Sequence, residues 1–151
     1  MSATTHTILD TRSQCDTTTQ MPVREPPWTL MTVASAASVV AGTLHYAAAA
    51  GHRPEWTLAA VLFTLVGAFQ IVWPAALRTV ARVWVLFAGA AVNATVVALW
   101  VLSRTAGLPI GHHAGSAKSV GALDAASSIA EVAVVITVVL TLRRTGSGAP
   151  R

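Results

Sequence analysis

The sequence predicts an all-α protein: a four-transmembrane-helix bundle with disordered polar N- and C-terminal tails. Three observations predict it. Of 151 residues, 54% are hydrophobic and only 11% are charged, whereas an ordinary soluble domain is roughly 25% charged. The apolar residues gather into four stretches, 28–50, 56–77, 82–102 and 119–142, each near the roughly 20 residues that cross a hydrocarbon core. The ionisable residues set in and around these stretches fall mostly toward one end of the expected bundle.

The first span follows Pro26-Pro27, with Trp28 at interfacial depth. It runs to the alanines before Gly51, Arg53 and Pro54, which break it. Glu55-Trp56 opens the second span. Trp73-Pro74 near its far end predicts a kink or a stop, because proline removes a backbone donor. Arg78 and Arg82 mark the next short turn. The third span ends at Ser103-Arg104, and Gly107-Leu108-Pro109 begins a loop that continues through Lys118. The fourth span ends at Arg143-Arg144. The bundle thus occupies 28–142, between a disordered cytoplasmic tail at 1–27 and a short cytoplasmic tail at 143–151.

Charge sets the expected orientation. Arg12, Arg24, Arg78, Arg82, Arg143, Arg144 and Arg151 lie on one side, against Arg53, Arg104 and Lys118 on the other. The positive-inside rule puts both termini in the cytoplasm of a bacterial plasma membrane. A net charge of +4 would suggest nucleic acid in a soluble protein. Here the basic residues flank spans, so topology and anionic lipid account for them and no nucleic-acid partner is expected. The single cysteine, Cys15, excludes an internal disulfide and a cysteine metal site. No apolar segment precedes it, so a lipoprotein anchor is not expected, and the polar first 27 residues lack the apolar core of a signal peptide.

Small residues recur on the helices: Ala34, Ser38 and Gly42 on the first span, Gly89 and Asn93 on the third. Such stripes let helices approach closely, within one chain or between copies of it.

The polar residues sort by depth, at about 1.5 Å per residue. His45 and Asp124 each lie a turn or so below the outer ends of their spans, with Arg104 in reach and His52 just beyond. Gln70, Asn93 and Glu131 lie deeper. Asp124 and Glu131 are seven residues apart and share a face, with Ser127 and Ser128 between them. One face of the fourth span is therefore a polar track leading inward.

Several purposes fit these residues. The first is structural: polar groups in lipid must find partners, so Arg104 pairs with Asp124 or Glu131 while Asn93 and Gln70 satisfy the rest. The second is a metal or haem site, since histidine with carboxylate suits zinc, copper or iron. On continuous helices His45 and His52 stand about 10 Å apart, as do Asp124 and Glu131. A shared ion therefore needs ligands from different helices, His45 with Asp124 being the candidate pair. The third is proton or small-solute handling at an outward-facing pocket lined by His45, His52, Gln70, Asn93, Arg104, Asp124 and Glu131, because intramembrane acids mark such sites. Catalysis is not favoured: Ser127 and Ser128 lie near His45 without a nucleophile elbow or oxyanion motif. His112-His113 reads as a solvated loop pair. Asn93-Ala94-Thr95 lies inside a span, so it is no glycosylation site. Gly107 and Gly111 belong to a turn rather than to a helix-contact motif.

Leu44-His45, His52, Gln70, Asn93 and the run Leu99-Trp100-Val101-Leu102-Ser103-Arg104-Thr105-Ala106-Gly107-Leu108-Pro109-Ile110-Gly111 resemble small four-helix membrane proteins common in actinobacteria. In these a tryptophan-bearing span ends in Ser-Arg-Thr-x-Gly-Leu-Pro-x-Gly, and a Gly-x-x-Asp and an intramembrane Glu follow, as Gly121, Asp124 and Glu131 do here. The resemblance covers most of 28–142 and implies the architecture and these residues, without an activity. His112-His113 stands where similar proteins often have other residues. The expectation is an integral membrane protein with a polar pocket. The alternative is a non-enzymatic accessory or scaffold subunit of a larger membrane complex.

Overall fold

The computed structural model describes residues 28–52, 56–80, 82–111 and 114–146. Four helices form: α1 (Trp28–His52), α2 (Thr57–Thr79), α3 (Val83–Thr105) and α4 (Ala122–Gly146). No strand occurs among the described residues, and the protein is an all-α four-helix bundle. Each helix is long and apolar enough to cross a membrane, as an integral multi-pass protein requires. The tails at 1–27 and 147–151 lie outside the described residues.

Helix ends differ from expectation for local reasons. α4 begins at Ala122 rather than 119. The Asp124 carboxylate reaches back to accept the Gly121 N–H at 3.4 Å, the reciprocal half of a capping box, and its charge suits the positive end of the helix dipole. At the other end Arg143 and Arg144 sit in the last turn of α4, where cations are favoured, and the helix continues to Gly146. α3 runs through Ser103 and Arg104 to Thr105. It stops at Gly107, whose φ of 78° is open chiefly to glycine. Both Ala106 and Gly107 N–H groups end on the Leu102 carbonyl, and the loop returns to give the Lys118 N–H to the Ser103 carbonyl at 3.0 Å.

Pro74 neither ends α2 nor lies exposed. It is buried inside the helix. Proline at position 74 leaves the carbonyl of Gln70, four residues earlier, without its helical donor. The Ser38 hydroxyl of α1 supplies one, at 2.7 Å, and Ser38 itself is fully buried. A helix-contact serine is thus also the repair of a proline defect. Ser38→Ala is expected to destabilise the bundle by about 1–3 kcal/mol, the cost of a buried acceptor left unpaired. In a Pro74→Ala background, where the backbone N–H is restored, the same change should cost much less. A double-mutant cycle of unfolding in detergent measures the difference.

Around the bundle, α1 packs against α2 and α4, and α4 also packs against α3. α2 and α3 meet only lightly, and the pairs α1/α3 and α2/α4 lie on the diagonals. The closest approach is between α1 and α2 at two glycines. A Cβ on Gly42 would stand 2.9 Å from the Gly67 carbonyl oxygen, and one on Gly67 would stand 3.0 Å from that of Gly42. The stripe of Ala34, Ser38 and Gly42 therefore makes the contact expected of it, with Gly67 as its counterpart.

The bundle encloses polar side chains beside an apolar core and displays apolar ones outside. Gln70, Asn93, Glu131 and Ser38 are fully buried, while Ile129, Val72, Leu65 and Phe87 are more than half exposed. A soluble domain buries such residues and would not display them in this number. Lipid as the surrounding solvent accounts for both halves of the pattern.

Candidate functional site

Each helix sends one buried polar side chain to the middle of the bundle: His45 from α1, Gln70 from α2, Asn93 from α3 and Glu131 from α4. Their bonds form one directed chain. The Asn93 amide nitrogen donates to the Gly89 carbonyl of its own helix at 2.8 Å. A carbonyl can only accept, so the Asn93 oxygen is turned toward α2. There it accepts from the Gln70 amide nitrogen at 3.0 Å. The same Gln70 nitrogen reaches Glu131 Oε1 at 3.4 Å, across the α2/α4 diagonal. His45 Nε2 meets that same oxygen at 2.6 Å.

The chain of donors fixes what remains. Glu131 Oε1 is met twice, whereas Glu131 Oε2 and Gln70 Oε1 find no hydrogen-bond partner among the described residues. Both are acceptors on side chains with no solvent exposure. His45 is held in place by Phe63 of α2, whose ring stacks on the imidazole with centroids 5.5 Å apart. The ring's orientation is therefore set by packing on one side and by the carboxylate on the other.

Nearer the loop that joins α3 and α4, Arg104 and Asp124 form a second pair through Nη2 and Oδ2. Arg104 is largely covered and Asp124 about one-third exposed. Ser127 and Ser128 are buried on α4 between Asp124 and Glu131, so the polar track on this helix is a structural fact.

The partners divide differently from the expected layers. The sequence sets His45 level with Asp124, but His45 takes Glu131 and Asp124 takes Arg104. The reason lies in the helix ends. α1 extends to His52 and α4 starts only at Ala122. His45 therefore sits about 10 Å below one helix end and Glu131 about 13 Å below the other, nearly level on antiparallel helices. Asp124, in the first turn of α4, stays at the surface layer.

Of the other expected residues, His52 is the last residue of α1, and its side chain lies outside the described part. His112 and His113 lie outside the described residues. No three His, Cys, Asp or Glu side chains are gathered to hold a metal ion among the described residues. The candidate pair His45 and Asp124 is divided between two different partners.

Three participants escaped the sequence reading. Phe63 lies seven residues before Gln70 and so on the same face of α2, a spacing that was there to be seen. Gly67 had no visible partner until α1 and α2 were placed together. Trp100 lies one turn below Arg104 on α3 with its indole nitrogen buried and unpartnered among the described residues. No family model, curated protein or solved structure matches the chain.

Proposed function

We propose that this chain is a multi-pass protein of a bacterial plasma membrane, with both termini cytoplasmic, that takes up and releases protons at the buried His45–Glu131 pair. The observation that carries the reading is the 2.6 Å contact between His45 Nε2 and a Glu131 oxygen, with both side chains almost wholly buried. A carboxylate in lipid costs roughly 2.5–3.5 kcal/mol on insertion scales. Imidazole beside it offers a short route by which the pair becomes charged or neutral with the movement of one proton. The donor set favours a proton over a metal ion. The imidazole nitrogen that faces the site is engaged with the carboxylate, and what stays unpartnered is one carboxylate and one amide oxygen. Among the described residues no three His, Cys, Asp or Glu side chains gather there, whereas a closed structural zinc site takes four ligands.

The test uses purified protein in liposomes containing a trapped pH dye, with a potassium-diffusion potential applied. The native chain is expected to acidify the interior faster than empty liposomes do. Glu131→Gln, which keeps the acceptor for His45 and Gln70 but cannot exchange a proton, is expected to return the rate to that of empty liposomes. Equal rates for native protein and empty liposomes refute the reading.

An accessory or scaffold role is a second reading, favoured by one observation. The lightly packed α2–α3 side carries an apolar groove lined by Phe69, Val72, Trp73, Trp84 and Val85, a surface that another helix would fill. Purification in mild detergent distinguishes the two. A large partner present in stoichiometric amount, with no proton flux from the isolated chain, supports the scaffold.

A further inference from the structure

Five buried polar atoms find no hydrogen-bond partner among the described residues: Arg104 Nε, Trp100 Nε1, Ser127 Oγ, Glu131 Oε2 and Gln70 Oε1. Buried polar groups in folded proteins are almost always paired, with protein or with water, so such atoms call for an explanation. Their order is informative. Arg104 is held at the loop end by Asp124. Trp100 lies one turn further in on α3. Ser127 lies one turn in from Asp124 on α4, and Glu131 one turn beyond Ser127. Gln70 meets Glu131 in the centre. The orphaned atoms therefore descend from the loop end to the middle and stop there. Below Glu131 the buried positions of α4 are Val134 and Val138, with Thr137 and Thr141 closed onto their own helix carbonyls.

The chemistry runs from donors at the loop end to acceptors in the centre, and water can join the two. Arg104 Nε and Trp100 Nε1 can only donate, Glu131 Oε2 as a carboxylate and Gln70 Oε1 can only accept, and the Ser127 hydroxyl does both. A water molecule both donates and accepts and needs two to four polar neighbours. We infer that a file of water enters at the loop end beside the Arg104–Asp124 pair and runs along the inner face of α4, past Trp100 and Ser127, to Glu131. It is closed on the far side by Val134 and Val138. The inference rests on the proposed proton site and supplies its access. In this conformation the path reaches Glu131 from one side only, so net proton flux requires a second conformation in which Glu131 opens past Val134 and Val138; the paired Arg104 and Asp124 stand at the mouth.

Cysteine accessibility to silver ion tests this. Silver ion is about the size of a water molecule, does not cross lipid, and blocks later alkylation of the thiol it binds. The chain carries Cys15→Ser, and one new cysteine is introduced at a time in sealed membrane vesicles of both orientations, in chloride-free buffer. Ser116→Cys, in the exposed loop, reports the loop side. Ile129→Cys, 70% exposed toward lipid, and Val134→Cys, beyond the end of the file, are the controls. Ser127→Cys is expected to be blocked from the same side as Ser116→Cys, and at least ~10-fold faster than either control, because a thiol must ionise in water to react. Should Ser127→Cys not accumulate, Ser128→Cys, buried in the same turn, replaces it. Blocking no faster than at Ile129, or from the side opposite Ser116, overturns the inference. That result includes the case of waters sealed inside. The assay reads water and not proton flux, so it fails or succeeds apart from the liposome experiment.

Discussion

Glu131→Ala is expected to lower the stability of the bundle by about 3–5 kcal/mol, the range for breaking a buried pair by removing one partner. The loss has identifiable parts. His45 Nε2 loses the carboxylate it meets, and the Gln70 amide loses one of two acceptors. A small cavity opens at a position with no solvent exposure. Glu131→Gln should stay close to the native stability, since an amide oxygen still accepts both bonds. The informative variant is the double replacement His45→Leu with Glu131→Leu. Exchange of a buried ion pair for apolar groups of similar size is often neutral or stabilising. A double variant as stable as the native chain but without proton flux assigns the pair a functional purpose. A double variant less stable than either single one makes the pair the glue of the bundle and removes the need for a ligand. Reversible unfolding in mixed detergent micelles, alongside the liposome assay, measures both quantities on the same preparations.

Gly89→Ala is expected to separate α2 from α3. A Cβ at this position would fall within the Trp73 indole. The indole cannot readily turn aside, because its N–H donates to the Val85 carbonyl at 2.8 Å and the ring is almost wholly buried. Overpacking of this kind costs about 1–3 kcal/mol. The consequence for the site is disproportionate. α2 and α3 meet only lightly, and Trp73 on Gly89 and Val85, with Gln70 on Asn93, are among the contacts that join them. Gly89 is also the acceptor that orients Asn93, so a shift there propagates to Gln70 and Glu131. Trp73→Leu combined with Gly89→Ala should recover part of the loss, since the obstacle is then gone. Additive penalties in that pair, read by the same unfolding measurement, would count against the contact.

Much of this was legible along the chain. Four apolar stretches and the small-residue stripe on α1 are local signals, and each corresponds to an observed feature; of the breakers, Gly51 proves to lie inside α1, and Arg53 and Pro54 lie outside the described residues. The polar residues expected at depth are in fact buried, because nothing else can be done with a Gln, an Asn or a Glu in a lipid-spanning helix. Arg104 with Asp124 was one of the two pairings expected of that arginine; the partner of His45 was not legible. His45 and Asp124 look level when helix ends are judged by composition. A shift of two or three residues at each end exchanged Asp124 for Glu131. Pro74 reads as a kink or a stop because the rescuing hydroxyl is on another helix, at Ser38, 32 residues from the Gln70 carbonyl that it serves.

The sequence by itself determined that four helices form, that lipid suits their outer faces, and which polar side chains must be enclosed. These follow from hydropathy, length and the cost of a polar group in hydrocarbon, all of which are properties of a segment. Tertiary structure alone decided that His45 joins Gln70, Asn93 and Glu131 in one centre, that Arg104 takes Asp124 rather than Glu131, and that a line of unpartnered atoms connects the two. Those relations depend on helix register and on close approach at Gly42, Gly67 and Gly89. Register is set by contacts between segments distant in sequence, and no local pattern carries that information.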